Sequence, residues 1–279
     1  MSLLGTPARR TASARAGTAA GGADAGALRF EGVGRTFGDG AGARDVLRAI
    51  DLELAAGEVV ALLGPSGCGK STLLRAAGGL DTPTTGRALI GGSAVRQHDE
   101  RCAVAFQEPR LLPWRTLRAN VALGLPTGTE RRAGAGRVDE LLELVGLADH
   151  ADLRPREVSG GMAQRTSLAR ALARRPGVLL LDEPFGALDA LTRMKMQDLL
   201  LAVHAGSPTT VLLVTHDVDE ALQLADRVVV LGRSGDDPAA TVTELVPVPG
   251  ARPRDRGSVE LAQLRGRLLE SLGVDAHRR

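Results

Sequence analysis

The sequence predicts an α/β fold in which helices cover both faces of a parallel sheet. Short, continuous apolar runs alternate with helical stretches, which is the pattern of strands buried on both faces. These runs predict five strands, at residues 58–63, 102–106, 178–181, 210–214 and 227–231. A glycine-rich turn follows the first of them, and two carboxylates follow the third, so polar groups collect where the strands end.

An antiparallel ribbon is expected before this sheet. Residues 28–33 and 46–54 show short alternating apolar positions on either side of a loop at 38–42, which is typical of paired strands. The alternation has a period of two, whereas the later strands are continuously apolar. The fold therefore combines a parallel core with an antiparallel β subdomain.

Helices are predicted at 71–77, 138–145 and 162–175, each ended by glycine or by Pro-Gly. The helical region between the second and third strands predicts an inserted α-helical subdomain at about 109–165. Near the end of the chain, Ser258 can cap a last helix. That helix places leucines 261, 264, 268, 269 and 272 on one face.

The composition excludes several classes of protein. Hydrophobic residues make up 43% of the 279 and charged residues 24%, which is too apolar for global disorder. Thirty-five basic and thirty-three acidic residues leave a formal charge of +2, without the basic excess of a general nucleic-acid binder. Two cysteines do not make a disulfide scaffold. No run approaches the roughly 18 apolar residues that a membrane span needs.

Three segments are expected along the chain. Residues 1–27 predict a disordered arm, because fourteen of them are alanine or glycine. The pair Arg9-Arg10 leaves a twin-arginine export signal as the alternative, although no apolar segment follows it. The main domain is expected at 28–250, and a C-terminal tail and helix at 251–279.

A phosphate-binding loop follows the first predicted parallel strand. It matches the pattern G-x-x-x-x-G-K-[ST] with the residues Gly64, Pro65, Ser66, Gly67, Cys68, Gly69, Lys70 and Ser71. Backbone N–H groups of such a loop wrap a phosphate, and the helix that follows adds a partial positive charge. Lys70, one of only two lysines in the chain, would neutralise phosphate oxygens, Ser71 would ligate Mg²⁺, and Thr72 would add a contact. The alternative is an ordinary glycine-rich turn, but on the order of 0.003 chance matches are expected in a chain of this composition. The fold is thus predicted to be that of a P-loop NTPase with a RecA-like core.

Four further polar residues follow predicted strands. Asp182 and Glu183 end the third strand, and we expect Asp182 to hold Mg²⁺ through water and Glu183 to accept a proton from the attacking water. A solvated acidic turn is the alternative interpretation of this pair. Gln107 and His216 follow two other strands. Because open α/β sheets bind ligands at the carboxyl ends of their strands, we expect all four near Lys70.

A second anion-binding helix start is predicted at Ser159, Gly160 and Gly161, which precede the helix at 162–175. The alternative is a simple N-cap with a flexible hinge. Two phosphate-binding helix starts in one ATPase suggest that two protomers grip each nucleotide.

Taken in order along the chain, these motifs resemble those of the nucleotide-binding subunits of ABC transporters, over about residues 28–231. The resemblance implies that Ser159–Gly161 contacts the γ-phosphate held by the opposite subunit and that His216 senses this phosphate. It places Gln107 near Mg²⁺, as a ligand, and at the joint with the permease. Asp189 lies in the D-loop, and Phe37 takes the place of the aromatic that stacks on adenine, with a core role for Phe37 as the alternative.

The segments at 106–115 and 182–193 are similar to those of importers of sulfonates, taurine and nitrate, and the tail at 252–256 is most similar to that of the aliphatic sulfonate importers. The resemblance implies an ATPase with ATP and Mg²⁺ as cofactors, working as a homodimer on transmembrane permease subunits and, indirectly, with a solute-binding protein. Such a subunit lies peripherally on the cytoplasmic face of the cell membrane and binds no nucleic acid. Taurine, nitrate or another small anion are the alternative solutes. A soluble ABC ATPase acting on nucleic acid or ribosomes and a non-enzymatic binding subunit are the alternative classes.

The family pattern is not matched everywhere. Val158 and Met162 replace the leucine and glutamine that usually flank the signature, and Gly186 replaces a serine before the D-loop. None of these differences removes a catalytic group. Leu111 and Leu112 lie between two prolines, and Trp114 directly follows the second proline. These three apolar residues are expected either to form a groove wall for a permease helix or to fill the core of the helical subdomain.

Overall fold

The computed structural model describes residues 25–235 and 237–273. Residues 1–24 of the predicted arm and 274–279 of the predicted tail lie outside the described residues. The strands are β1 (Leu28–Phe37), β2 (Arg44–Leu54), β3 (Val59–Leu63), β4 (Thr85–Ile90), β5 (Ser93–Ala94), β6 (Cys102–Ala105), β7 (Val178–Asp182), β8 (Thr210–Val214), β9 (Arg227–Arg233) and β10 (Ala240–Pro247). The α-helices are α1 (Lys70–Ala77), α2 (Leu117–Ala122), α3 (Arg131–Leu144), α4 (Gly160–Ala173), α5 (Ala190–Gly206), α6 (Val218–Leu224) and α7 (Val259–Ser271).

These strands form one sheet in the order β5-β4-β1-β2-β10-β9-β3-β8-β7-β6. β9, β3, β8, β7 and β6 pair in parallel, and β1, β2, β4 and β5 pair antiparallel. The predicted parallel core and antiparallel ribbon are both confirmed. The sequence does not predict β10, which joins the two parts by pairing antiparallel with β9 and through Ala240 opposite Leu47 of β2.

Both faces of the parallel core are buried. In β3, Val59, Ala61 and Leu63 belong to the larger of two apolar clusters, while Val60 and Leu62 belong to the smaller. Successive side chains of a strand point to opposite faces, so every position of such a strand must be apolar. The continuous apolar runs in the sequence follow from this placement.

The helices lie on both faces of the sheet. α1 packs Leu73 and Leu74 into the smaller cluster, and α2 to α7 contribute to the larger one. α3 and α4 start earlier than predicted, because Glu130 and Ser159 cap them with their side chains. None of the helices in the described part of the chain has the length and apolar character that crossing a membrane requires.

The arginine-rich tail is bound to the end of α6. The side chain of Arg254 is buried and donates hydrogen bonds to the carbonyl oxygens of Leu222 and Gln223, at 3.0 and 3.3 Å. Arg252 donates to the carbonyl oxygen of Leu224 at 2.8 Å. The last carbonyls of a helix have no partner within the helix, so the tail supplies the partners that α6 lacks.

The predicted last helix is confirmed as α7. Ser258 caps it by accepting a hydrogen bond from the Leu261 N–H at 3.4 Å. Leu261 and Leu268 are buried in the larger cluster, and α7 packs against α6. The arginine-rich tail and α7 therefore both contact α6.

Candidate functional site

The phosphate-binding loop connects β3 to α1. Gly64, Gly67 and Gly69 have φ angles of 156°, 76° and 104°, which residues with a side chain rarely adopt. A Cβ atom on Gly64 would lie 2.5 Å from the carbonyl oxygen of Leu231. The glycine spacing is therefore a steric requirement of the loop as well as a sequence pattern.

Lys70 is the first residue of α1 and is only 7% exposed. Its ammonium donates hydrogen bonds to the carbonyl oxygens of Gly64 (2.7 Å) and Pro65 (3.0 Å). The cation thus lies within the loop, next to the unpaired N–H groups at the start of α1. A buried cation beside a helix N-terminus suits an anionic ligand.

Ser71 and Asp182 connect the loop to β7. The Ser71 hydroxyl donates to Asp182 Oδ1 at 2.9 Å. Asp182 is 7% exposed, and this burial raises the pKa of its carboxyl, while the hydrogen bond from Ser71 opposes the rise. Two oxygen groups of the kind that Mg²⁺ prefers therefore adjoin each other beside Lys70.

Glu183 directly follows β7 and contacts residues at or just after the ends of β6 and β8. Its N–H donates to the carbonyl oxygen of Val214 at 2.8 Å, and its Oε2 accepts a hydrogen bond from Gln107 Nε2 at 3.0 Å. The same oxygen lies 3.2 Å from His216 Nδ1. Glu183 also has a φ of 46°, and strained backbone of this kind clusters at functional sites.

A cavity of about 510 Å³ opens beside the loop. It is lined by Phe37, Arg44, Val46, Ser66, Gly67, Gly69, Lys70, Ser71, Thr72 and Glu183. Phe37 is 41% exposed, so the alternative of a core role is wrong. The guanidinium of Arg35 lies 4.3 Å from the centre of the Phe37 ring. Cys68, a residue of the predicted phosphate loop, is half-buried and packs against the smaller apolar cluster; it is not among the described residues that line the cavity.

The second predicted anion site lies elsewhere on the molecule. Ser159 caps α4, its hydroxyl accepting a hydrogen bond from the Met162 N–H at 3.3 Å, and Ser159 and Gly160 are exposed. Ser159–Gly161 is not among the described residues that line the cavity beside the phosphate loop. Asp189 is exposed and caps α5 by accepting from the Thr192 N–H.

The apolar residues at 111–114 divide between the two interpretations. Leu111 is partly buried against the larger apolar cluster, as the core interpretation predicts. Leu112 is half-buried, and its N–H donates to Asn120 Oδ1 at 2.8 Å. Trp114 is 69% exposed and does not fill the core.

Sequence reasoning missed a group of side chains behind His216. Arg193, Thr215, Asp217 and Glu220 are joined there by hydrogen bonds. The spacing of Asp217 and Glu220 is typical of a capping box, which predicts an exposed glutamate. The structure instead buries Glu220, at 4% exposure, and the local sequence pattern holds no signal of this burial.

Comparison with known proteins identifies the family of this chain. A family model described as "ABC transporter" matches residues 47–186, about half of the chain. The chain belongs to the ABC transporter family. Membership implies nucleotide binding, and the mixed sheet with its phosphate loop is the ABC ATPase fold.

Several curated relatives of this ABC protein carry one name. The "Aliphatic sulfonates import ATP-binding protein SsuB 1" of Streptomyces avermitilis is 49% identical over 272 residues, which cover 98% of this chain and 95% of the relative. The protein of the same name from Mesorhizobium japonicum is 49% identical over 246 residues, 88% of each chain. These two alignments cover most of this chain and of each relative, so few segments of this chain lack a counterpart in them.

Two solved ABC cassettes have the same fold. The dimeric structure of MJ0796, described as a bacterial ABC transporter cassette, has a TM-score of 0.71 and 31% identity. The dimeric post-hydrolysis state of MJ0796 bound to ADP and Pi has a TM-score of 0.70 and 30% identity. Each comparison covers 80% of this chain and all of the other.

The loop geometry leads to a prediction about Gly64→Ala. The added Cβ would meet the Leu231 carbonyl oxygen at 2.5 Å and Cys68 Sγ at 2.9 Å, so we expect a loss of about 2 kcal/mol or more in the free energy of unfolding. Thermal unfolding without nucleotide measures this loss. Gly67→Ala is the matched control, because no described atom lies within 4 Å of its added Cβ and only backbone strain of about 1–2 kcal/mol is expected. Equal melting temperatures for the two variants would contradict the steric argument.

Proposed function

We propose that the chain is the ATP-hydrolysing subunit of a membrane importer whose solutes are aliphatic sulfonates. One observation carries the proposal. At one edge of the sheet, the phosphate loop contacts Asp182, and the next residue, Glu183, contacts both Gln107 and His216. The printed names of the relatives, which refer to import of aliphatic sulfonates, support the transport role and the solute. We assign residues 28–250 to the nucleotide-binding domain, with its helical subdomain at about 109–165.

ATP is proposed to occupy the cavity beside the loop. The buried Lys70 and the backbone N–H groups of the loop Gly64–Ser71, except that Pro65 has none, would hold its phosphates, with a further contact from Thr72. Phe37 is available for stacking on adenine, and since Arg35 covers one face of its ring, the other face is the stacking surface. Stacking of a base on an aromatic ring contributes about 1–3 kcal/mol.

Mg²⁺ is proposed to bind between Ser71, Asp182 and Gln107. Mg²⁺ is commonly held by one or two protein oxygens together with substrate phosphates. The adjoining oxygens of Ser71 and Asp182 fit this pattern, and no group of three or more His, Cys, Asp or Glu in the described residues offers a dedicated metal cage. When bound, Mg²⁺ compensates charge on the phosphates.

Hydrolysis is proposed to use Glu183 as the general base. Gln107 donates to its carboxylate and His216 lies beside the same oxygen, so both orient the group that positions water and accepts its proton. Lys70 stabilises the charge on the transferring phosphoryl group. His216, which is largely exposed, remains available to the γ-phosphate.

Two copies are proposed to close head-to-tail, so that Ser159–Gly161 and Asp189 of one copy complete the site of the other. Ser159, Gly160 and Asp189 are exposed, Gly161 is half-buried, and none of the four is among the described residues that line the cavity of their own chain. The names of both solved cassettes describe dimers. The start of a 14-residue helix, capped by Ser159, supplies N–H groups for the γ-phosphate.

The permease is proposed to bind the exposed surface around Trp114, next to the segment that contains Gln107. An exposed tryptophan is a common centre of protein interfaces, and its neighbour Leu111 is anchored in the core. Binding there would place the chain peripherally on the cytoplasmic face of the membrane. A solute-binding protein would act on the permease and only indirectly on this chain.

Glu183→Gln is expected to lower ATP turnover by about 10²–10⁴-fold, because a neutral amide does not accept the proton. MgATP binding is retained, since Lys70 and the loop are unchanged. Steady-state ATPase rates and a binding titration measure the two effects. Glu143→Gln, at an exposed position of α3, is the control and is expected to behave like the native chain. Near-native turnover in Glu183→Gln would refute the role of Glu183.

Mixing two inactive variants tests the shared site. Lys70→Ala and Ser159→Ala each inactivate both sites of their own homodimer. In a mixed dimer one site carries both substitutions and the other carries neither, so ATPase activity is expected to reappear when the two preparations are combined. Activity that stays absent after subunit exchange, verified with differently tagged chains, would contradict a composite site.

Uptake experiments test the solute. Cells that lack the gene are expected to lose uptake of labelled alkanesulfonate, and to regain it with the native chain but not with Glu183→Gln. Labelled taurine and nitrate, measured in parallel, reveal whether either is the solute instead. Unchanged uptake of all three, together with ATPase activity stimulated by duplex DNA or ribosomes, would refute the importer.

A further inference from the structure

Glu220 is a buried carboxyl directly behind the segment that carries His216. Its Oε2 accepts a hydrogen bond from the Thr215 hydroxyl at 3.1 Å, and its Oε1 has no hydrogen-bond partner among the described residues. Burial raises the pKa of Glu220 to about 8. The hydrogen bond from Thr215 and the charge of Arg193 oppose this rise, while Asp217 and Glu183 add to it.

Hydrogen bonds extend from Glu220 to both sides of His216. The Thr215 hydroxyl, which donates to Glu220, also accepts from the Asp217 N–H at 3.0 Å. Asp217 Oδ1 in turn accepts from the Glu220 N–H at 3.1 Å. Both neighbours of His216 in the chain are thus held by Glu220, while His216 itself is exposed.

Arg193 connects this group to the start of α5. It pairs with Asp217 Oδ2 at 3.1 Å and donates to the carbonyl oxygen of Leu188 at 3.2 Å. Leu188 directly precedes Asp189. The segment of His216 and the segment of Asp189 are therefore connected through one half-buried arginine–aspartate contact.

A small cavity lies between these groups. It is lined by Glu183, Gly186, Arg193, Thr215, His216, Asp217 and Glu220. Its volume of about 10 Å³ is about the least that one water needs. Arg193 Nε is also buried without a partner in the described part of the chain. Two buried polar atoms without a partner in the described part of the chain, Arg193 Nε and Glu220 Oε1, thus belong to residues that line a space of about one water.

An ionised Glu220 does not suit this environment. Asp217 and Glu183 are both acidic and lie near it, and Arg193 already pairs with Asp217. On the outer side of α6, Asp219 pairs with Arg265 of α7 at 3.0 Å, so that arginine is engaged at the surface. A third negative charge here would be buried without a cation of its own.

We propose that Glu220, as a neutral acid, is a positioning residue that holds His216 beside Glu183. The proposal rests on the function proposed above, because it concerns the alignment of the proposed general base. Glu220 touches no part of the ATP cavity, so its effect is on the rate of hydrolysis and not on nucleotide binding.

The test compares Glu220→Gln with Glu220→Ala. Glutamine keeps the shape and the neutral state, and its amide oxygen still accepts from Thr215, so turnover at pH 7 stays close to native. Alanine removes the anchor, and turnover falls by about fivefold, the rate equivalent of one lost hydrogen bond. The KM for ATP is unchanged in both variants.

The pH dependence provides a readout that a purely structural role would not change. Native turnover is expected to fall as pH rises through about 8, where Glu220 ionises, and the Gln variant does not show this fall. Because the folded pKa lies above its ordinary value of 4.5, the stability that neutral Glu220 contributes is complete below pH 4.5 and is lost as pH rises through about 8. The melting temperature of Glu220→Gln relative to the native chain therefore increases between pH 5 and pH 8.

Two results would overturn the proposal: a Gln variant as slow as the Ala variant, or a Gln variant that keeps the native decline above pH 8. If Glu220→Ala does not fold, Thr215→Val removes the same hydrogen bond, and native turnover in that variant likewise overturns it. A native chain without ATPase activity at any pH would instead refute the proposed function. An active native chain with the wrong variant pattern refutes only the role of Glu220.

Discussion

The parallel pairing of β3, β8, β7 and β6 is the constraint on which the site depends. Parallel strands end at the same edge of a sheet, so the residues that follow them meet although they are far apart in the chain. Ser71 and Asp182 are 111 positions apart and lie 2.9 Å from each other. Gln107 and Glu183 are separated by 76 positions and are hydrogen-bonded. The burial of both faces of these strands keeps this edge rigid.

Several of the charged groups at this edge are buried. Lys70 is satisfied by carbonyl oxygens of its own loop, whereas burial raises the pKa values of Asp182 and Glu220. In a low dielectric, each charge interacts more strongly with its neighbours than it would at the surface. Anionic phosphates and a divalent cation are ligands that such an arrangement can discriminate from neutral molecules.

Support for the site extends to the end of the described chain. Arg254 and Arg252 bind the last carbonyls of α6, and α7 packs against the same helix. Glu220 lies on α6, close to His216. The arginine-rich tail therefore has a structural role, since it fixes the helix from which Glu220 reaches the His216 segment.

The sequence by itself determined the elements whose signals are local. The phosphate loop, the continuously apolar strands and the Ser258-capped helix are recognisable because glycine conformation, two-sided burial and capping each act over a few residues. Only the tertiary structure decided the strand order, the role of β10 as a bridge, the exposure of Phe37 and Trp114, and the burial of Glu220. Each of these depends on contacts between residues distant in the chain, and short-range patterns carry no information about which distant segment covers a given side chain.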